Sequence, residues 1–200
     1  MKGSIIIVGF FIVGTIVGAL GILPAEITGT DFSFYALCAL MFCVGFGIGA
    51  DPQTIKNFKR LNPVLALLPV MTILGTLSAS AIVGTIFPHR SVAETVAVGS
   101  GFGYYSLSSI FITQYKGAGL GTVALLSNIM REITTLLCAP LLVRWFGSLA
   151  PISAGGATTM DTTLPIISRC SGKEFTVLSI FHGFVVDFSV PFLVTFFCSI

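Results

Sequence analysis

Glu132 and Asp161 are carboxylates set in long apolar runs, and four threonines, Thr158, Thr159, Thr162 and Thr163, surround the second of them. An ionisable group at mid-membrane depth costs about 2.5–3.5 kcal/mol on insertion scales, and such groups mark ion or substrate pathways. The chemistry these residue types support is cation binding and proton exchange. Around the second acid the chain reads Gly155-Gly156-Ala157-Thr158-Thr159-Met160-Asp161-Thr162-Thr163-Leu164-Pro165. Paired glycines loosen a helix, Pro165 removes a backbone donor, and each threonine hydroxyl both donates and accepts. The plainer alternative is a packed Gly/Thr helix interface with Asp161 beside a loop.

Glu132 follows Ser127, Asn128 and Arg131. Successive helical residues point about 100° apart, so Asn128 and Glu132 share a face at i, i+4 whereas Arg131 and Glu132 do not. Arg131 is therefore expected to pair with another acid, Asp161 or Asp187, which leaves Glu132 freer to bind a cation or titrate. A buried structural ion pair is the alternative for Glu132. Tyr104, Tyr105 and Ser106, with Ser108 and Ser109, are candidates for lining a path opposite Asp161, although aromatic and serine residues also pack helices.

The elements that must position these groups are membrane spans. With 54% hydrophobic residues, 9% charged residues and a mean hydropathy of +1.01, the 200-residue chain has too little polar surface for a soluble domain. About 20 apolar residues cross the hydrocarbon core as a helix. Segments 4–23, 32–50 and 63–87 carry no internal charge, and 92–113, 120–146, 151–168 and 175–200 follow, with a soft centre at Gly99–Ser106 in the first of these. The fold class is thus an all-α polytopic membrane protein of about seven spans in one domain, residues 1–200. Segments 14–24 and 155–165 read as broken helices, the sequence pointer to a substrate site.

Lys56, Lys59 and Arg60 in one loop and Arg169 and Lys173 in another put the N-terminus in the cytoplasm and the C-terminus outside if the spans alternate. The N-terminal apolar stretch reads as a retained span because no cleavage site follows it. The five cysteines, Cys38, Cys43, Cys138, Cys170 and Cys198, lack the spacing of a zinc site or a disulfide framework, so no metal is expected. Scattered basic residues exclude nucleic-acid binding. His182 and Asp187 have the His-four-residues-Asp spacing of acyltransferases, but on a helix they lie about 140° apart. No enzyme activity is expected, and no cofactor beyond a coupling ion.

Four blocks in one order carry a family resemblance: Ser100-Gly101-Phe102-Gly103-Tyr104-Tyr105-Ser106-Leu107-Ser108-Ser109, Gly121 to Ile133 with Asn128-Ile129-Met130-Arg131-Glu132, Gly147-Ser148-Leu149-Ala150-Pro151 with the run 155–165, and Ile180-Phe181-His182-Gly183-Phe184. Together they resemble the bacterial lysine exporter family of LysO type, most closely over residues 100–184. The resemblance implies a plasma-membrane exporter of L-lysine and of cationic analogues such as thialysine, with its two essential acids at Glu132 and Asp161. Asp187 is outside the family pattern. Longer family members carry additional N-terminal helices, and three more helices here would complete a 5+5 inverted repeat with crossed broken helices. A separate small membrane protein of about three helices, or a homo-oligomer, is expected to supply them.

Lysine offers two ammonium groups and a carboxylate. Glu132 and Asp161 are assigned to cation binding and proton exchange, Asn128 and the threonines to hydrogen bonding, and Arg131 or a half-helix N-terminus to the carboxylate. Outward movement against an inside-negative potential costs about 2.3 kcal/mol per charge per 100 mV, which favours proton antiport. A sodium/proton antiporter, or a transporter of another organic ion using the same acids, is the competing reading.

Overall fold

A computed structural model of the protein describes residues 64–86 and 90–200, together with residues 9, 12–14, 16–21 and 46. Most of the spans expected at 4–23 and 32–50, the end of the break expected at 14–24, the basic loop 51–62 and Cys38 and Cys43 lie outside the described residues. The inside–outside assignment rests on that loop and lies outside them too.

The described chain is helical, with no strand among the described residues. It runs α1 (Leu68–Ile86, after a 3-10 turn at Leu65–Leu67), α2 (Val92–Gly99), α3 (Tyr105–Lys116), α4 (Ala118–Phe146), α5 (Ala150–Gly155), α6 (Leu164–Ser171) and α7 (Thr176–Ser199). Among the described residues, three continuous stretches are long and apolar enough to cross a membrane: Leu65–Ile86, Ala118–Phe146 and Lys173–Ser199. Between them lie two interrupted segments. The sequence segment 92–113 divides into α2 and α3, and 151–168 divides into α5, a 3-10 turn at Gly156–Met160, and α6.

Local chemistry explains these boundaries. Ser91 caps α2 through its hydroxyl, which accepts from Glu94 N–H at 3.0 Å, and the Glu94 carboxylate accepts from Ser91 N–H at 3.1 Å. A cap of this kind is worth about 1 kcal/mol. At the other end the run Ser100-Gly101-Phe102-Gly103 stops the helix, with Phe102 at φ 46 and Gly103 at φ 95. Gly117, at φ 90, reverses the chain between α3 and α4. α5 has Pro151 in its first turn, where a missing N–H is harmless, and α6 likewise has Pro165.

Packing between helices uses small residues, as expected where lipid gives apolar helices no reason to associate. Gly84 approaches the Cα of Val92 so closely that a Cβ would come within 3.0 Å of it. Gly121 of α4 is pressed against Thr113 and the Ser109 carbonyl of α3. Phe102, Ile112, Ala124, Val186, Val190 and Val194 form the larger buried cluster, and Leu136, Ala139, Ile152, Ile167 and Leu178 a second. On the outer side of α7, Phe184, Phe188, Phe192 and Phe196 recur every fourth residue, each more than half exposed. Such a stripe suits contact with lipid.

Candidate functional site

The two interrupted segments meet at their breaks. Ala157 N–H donates to the Phe102 carbonyl at 2.9 Å, a main-chain bond from one unwound stretch to the other. Gly156 sits at φ 63, and any Cβ there would collide with that carbonyl. Gly103 faces the Gly155 carbonyl across the same crossing. Phe102 is a fully buried non-glycine residue in the left-handed region, a strain of about 1–2 kcal/mol that the surrounding contacts must hold. Sequence reasoning singled out the glycines around Phe102 and not Phe102 itself; the signal was a large side chain between two glycines.

Unwound backbone at membrane depth needs partners for its N–H and C=O groups. α4 provides them from one side. The Asn128 side chain, 2% exposed, accepts from Gly103 N–H at 2.7 Å and donates to the Val98 carbonyl at 3.3 Å, spanning the first break. Its amide also donates to the Ala124 carbonyl at 2.9 Å. One turn on, Arg131 donates from Nε to the Ala154 carbonyl at 2.8 Å and from Nη2 to the Ser153 carbonyl at 3.0 Å, closing the carbonyl end of α5. A cation there also suits the helix dipole. The same guanidinium lies 5.8 Å from the centre of the Phe102 ring.

These contacts correct one expectation. Arg131 does not pair with Asp161 or Asp187; its guanidinium meets carbonyls and, at 3.5 Å, Thr76 Oγ1. The physical reason is that the broken α5 leaves carbonyls that only a strong donor at that depth can satisfy. Asn128, likewise, is occupied by the protein's own backbone.

The threonines divide in the same way. Thr158 Oγ1 donates to the Gly155 carbonyl at 2.9 Å, and Thr163 Oγ1 donates to the Thr158 carbonyl at 2.9 Å. Thr159 and Ser179 exchange reciprocal side-chain-to-carbonyl bonds at 2.9 and 3.0 Å, which lock the 3-10 turn onto α7. His182, fully buried, bridges Thr159 Oγ1 at 3.2 Å and Thr72 Oγ1 at 2.9 Å. Thr72 in turn donates to Ser153 Oγ at 3.1 Å, so α1, α5 and α7 are tied through one polar chain.

Thr162 alone turns to the acids. Its N–H and hydroxyl donate to the Asp161 carboxylate, at 2.5 and 3.3 Å, and its side chain lies within electrostatic reach of Glu132. Glu132 and Asp161, thirty residues apart in sequence to within one, are thus brought to one threonine and into electrostatic reach of each other. Tyr105 lies within such reach of both acids, and Tyr104 of Asp161 and Asp187. Glu132, Asp161, Thr162 and Tyr104 are half-buried, and Tyr105 and Ser106 are exposed, so the cluster opens from the core of the crossing toward the surface. Among the described residues no His/Cys/Asp/Glu group has a metal-holding arrangement.

A family model described as Lysine exporter LysO matches residues 8–198. The lysine exporter LysO of Escherichia coli (strain K12) is 30% identical over 198 residues, which cover 98% of this chain and 64% of that relative. A protein of Haemophilus influenzae (strain ATCC 51907 / DSM 11121 / KW20 / Rd), provisionally named a lysine exporter, is 32% identical over 167 residues, 84% of each chain. The chain therefore spans less than two thirds of the length of the first of these relatives. No solved structure matches.

Proposed function

We propose, on the premise that this chain belongs to the lysine exporter LysO family, that it carries the substrate site of a transporter moving L-lysine, and cationic analogues such as thialysine, outward across the plasma membrane in exchange for protons. The observation that carries this reading is the convergence of Glu132 and Asp161 on Thr162 at the crossing of two broken helices. Two carboxylates without a cationic partner among the described residues suit a substrate with two ammonium groups. The beginning of α3 adjoins the crossing, and the positive end of its helix dipole suits a substrate carboxylate.

The geometry favours a division of labour. Asn128, Arg131, Thr158, Thr159 and Thr163 hold the two breaks in shape, while Glu132, Asp161 and Thr162 face the substrate, with Tyr104, Tyr105 and Ser106 along the approach. Inward proton movement offsets the roughly 2.3 kcal/mol per 100 mV that a net positive substrate requires.

The test is lysine uptake into inverted membrane vesicles carrying the chain, with Glu132→Gln and Asp161→Asn beside the unaltered protein. Loss of uptake in variants that still reach the membrane and melt normally supports the reading. Unchanged lysine uptake rejects it, and sodium-dependent proton movement without lysine transport supports the sodium/proton antiporter instead.

A further inference from the structure

Asp187 is a carboxylate near the centre of the Lys173–Ser199 span, on a largely apolar element that also carries the fixed His182. Its place is set by a ladder of contacts between α7 and the second break. Ser179 is bonded to Thr159. Gly183, one turn on, lies so close to the next residue that a Cβ would stand 2.6 Å from Met160 N and 2.8 Å from Met160 Cβ. Asp187 follows at the next i+4 position of the same face, and its neighbour in the ladder is Asp161, whose charge acts on it.

Among the described residues the charges around it are few. α1 and α5 carry no titratable side chain, and α2 has only Glu94 in its first turn. α3 brings Tyr105 beside Glu132 and Asp161, with Tyr115 and Lys116 at its far end; α6 brings Arg169 and Cys170 in its last turn, and Lys173 and Glu174 precede α7. Arg131 of α4 is held on the carbonyls of Ser153 and Ala154. Asp161 and Tyr104 are the groups that face Asp187. Two adjacent carboxylates with no cation between them among the described residues repel each other, and a proton on either relieves that repulsion.

We propose that Asp187 is the third acid of the transport site and carries the coupling proton, leaving Glu132 and Asp161 to the substrate. This rests on the exporter reading above. When lysine leaves on the outer side, Asp187 takes a proton from the outer water; when lysine binds on the inner side, the same proton passes to the inner water. Lysine and proton then occupy one cluster without sharing one carboxylate, so exchange and coupling become separable by substitution.

The experiment measures two rates in inverted vesicles: counterflow of labelled lysine against unlabelled lysine with no gradient, and accumulation driven by an acid interior. For Asp187→Asn, counterflow is expected to persist while gradient-driven accumulation falls by about a hundredfold or more, the least that loss of a positioned proton-transfer group brings. Asp187→Glu, which keeps a proton-binding group, is expected to accumulate lysine with a displaced pH midpoint. Equal loss of both rates in a well-folded Asp187→Asn, or retention of both, overturns the proposal. If the Asn variant fails to fold, an unchanged pH midpoint in Asp187→Glu overturns it. Failure of the unaltered chain to show counterflow strikes the exporter reading instead, so the two failures are distinguishable.

Discussion

The two breaks are built from the same problem and solved with opposite chemistry. In the first, Ser100–Tyr104, the unwound backbone is neutral and aromatic, and the Asn128 amide spans it. In the second, Gly156–Thr163, the backbone carries a carboxylate and threonines, and the Arg131 guanidinium closes the helix before it. Both staples come from one side of α4, three residues apart, while Glu132 points from the same helix to Thr162. A broken helix in a membrane thus needs two kinds of residue: some that satisfy its backbone, and some left over to meet a ligand. The first break has only the former among its polar contacts; the second has them together with the half-buried carboxylate of Asp161.

The comparison breaks most plainly at the acids. Glu132→Gln and Asp161→Asn are expected to lower lysine transport by about 100-fold, as removal of a carboxylate partner from a buried ammonium group costs about 3 kcal/mol, with thermal stability in detergent near that of the unaltered chain. A fall in stability of the same size as that in a staple variant would erase the distinction between the two kinds of residue.

Arg131→Met is expected to do the reverse. Removing the donor strands the Ser153 and Ala154 carbonyls, and about 1–3 kcal/mol of stability is lost per buried group left unsatisfied. The melting temperature, measured in detergent, should drop before any effect on lysine affinity is seen. Asn128→Leu should follow at the first break with a smaller loss, because neutral groups are involved.

Gly156→Ala sharpens the point at which the breaks touch. A Cβ there meets the Phe102 carbonyl in a backbone conformation that costs about 1–2 kcal/mol for an L-residue. Reduced membrane expression is expected, read by quantitative immunoblot, whereas Gly119→Ala, with nothing near its Cβ, should be silent.

The smallest effect separates two adjacent threonines. Thr162→Val should raise the apparent KM for lysine several-fold and leave melting unchanged, since Thr162 is half-buried beside the acids. Thr163→Val, which loses the bond to the Thr158 carbonyl, should lower the melting temperature through a loss of about 1 kcal/mol without a matching change in KM.

Much of this was legible in the residues. Apolar runs set where helices form, and Gly155-Gly156 with Pro165 marked the second break because glycine and proline act through local backbone geometry. Acids in apolar surroundings stand out in any reading. The soft centre at Gly99–Ser106 was visible as a weak span, but its role as the crossing partner of the second break was not. The break expected at 14–24 falls outside the described residues for the most part. The roles of Asn128, Arg131 and three of the four threonines were read as contacts to substrate, since a sequence does not say which polar groups the backbone will claim first.

Sequence by itself therefore determined that the chain is helical, membrane-embedded and interrupted, since hydropathy and the conformational limits of glycine and proline are properties of short stretches. It also determined the family, because four blocks in one order identify it. The tertiary structure decided which polar side chains the backbone of the two breaks claims and which it leaves unclaimed. That choice depends on the unsatisfied N–H and C=O groups of a distant segment, and Phe102 meets Ala157, or Arg131 meets Ala154, only once the helices have crossed.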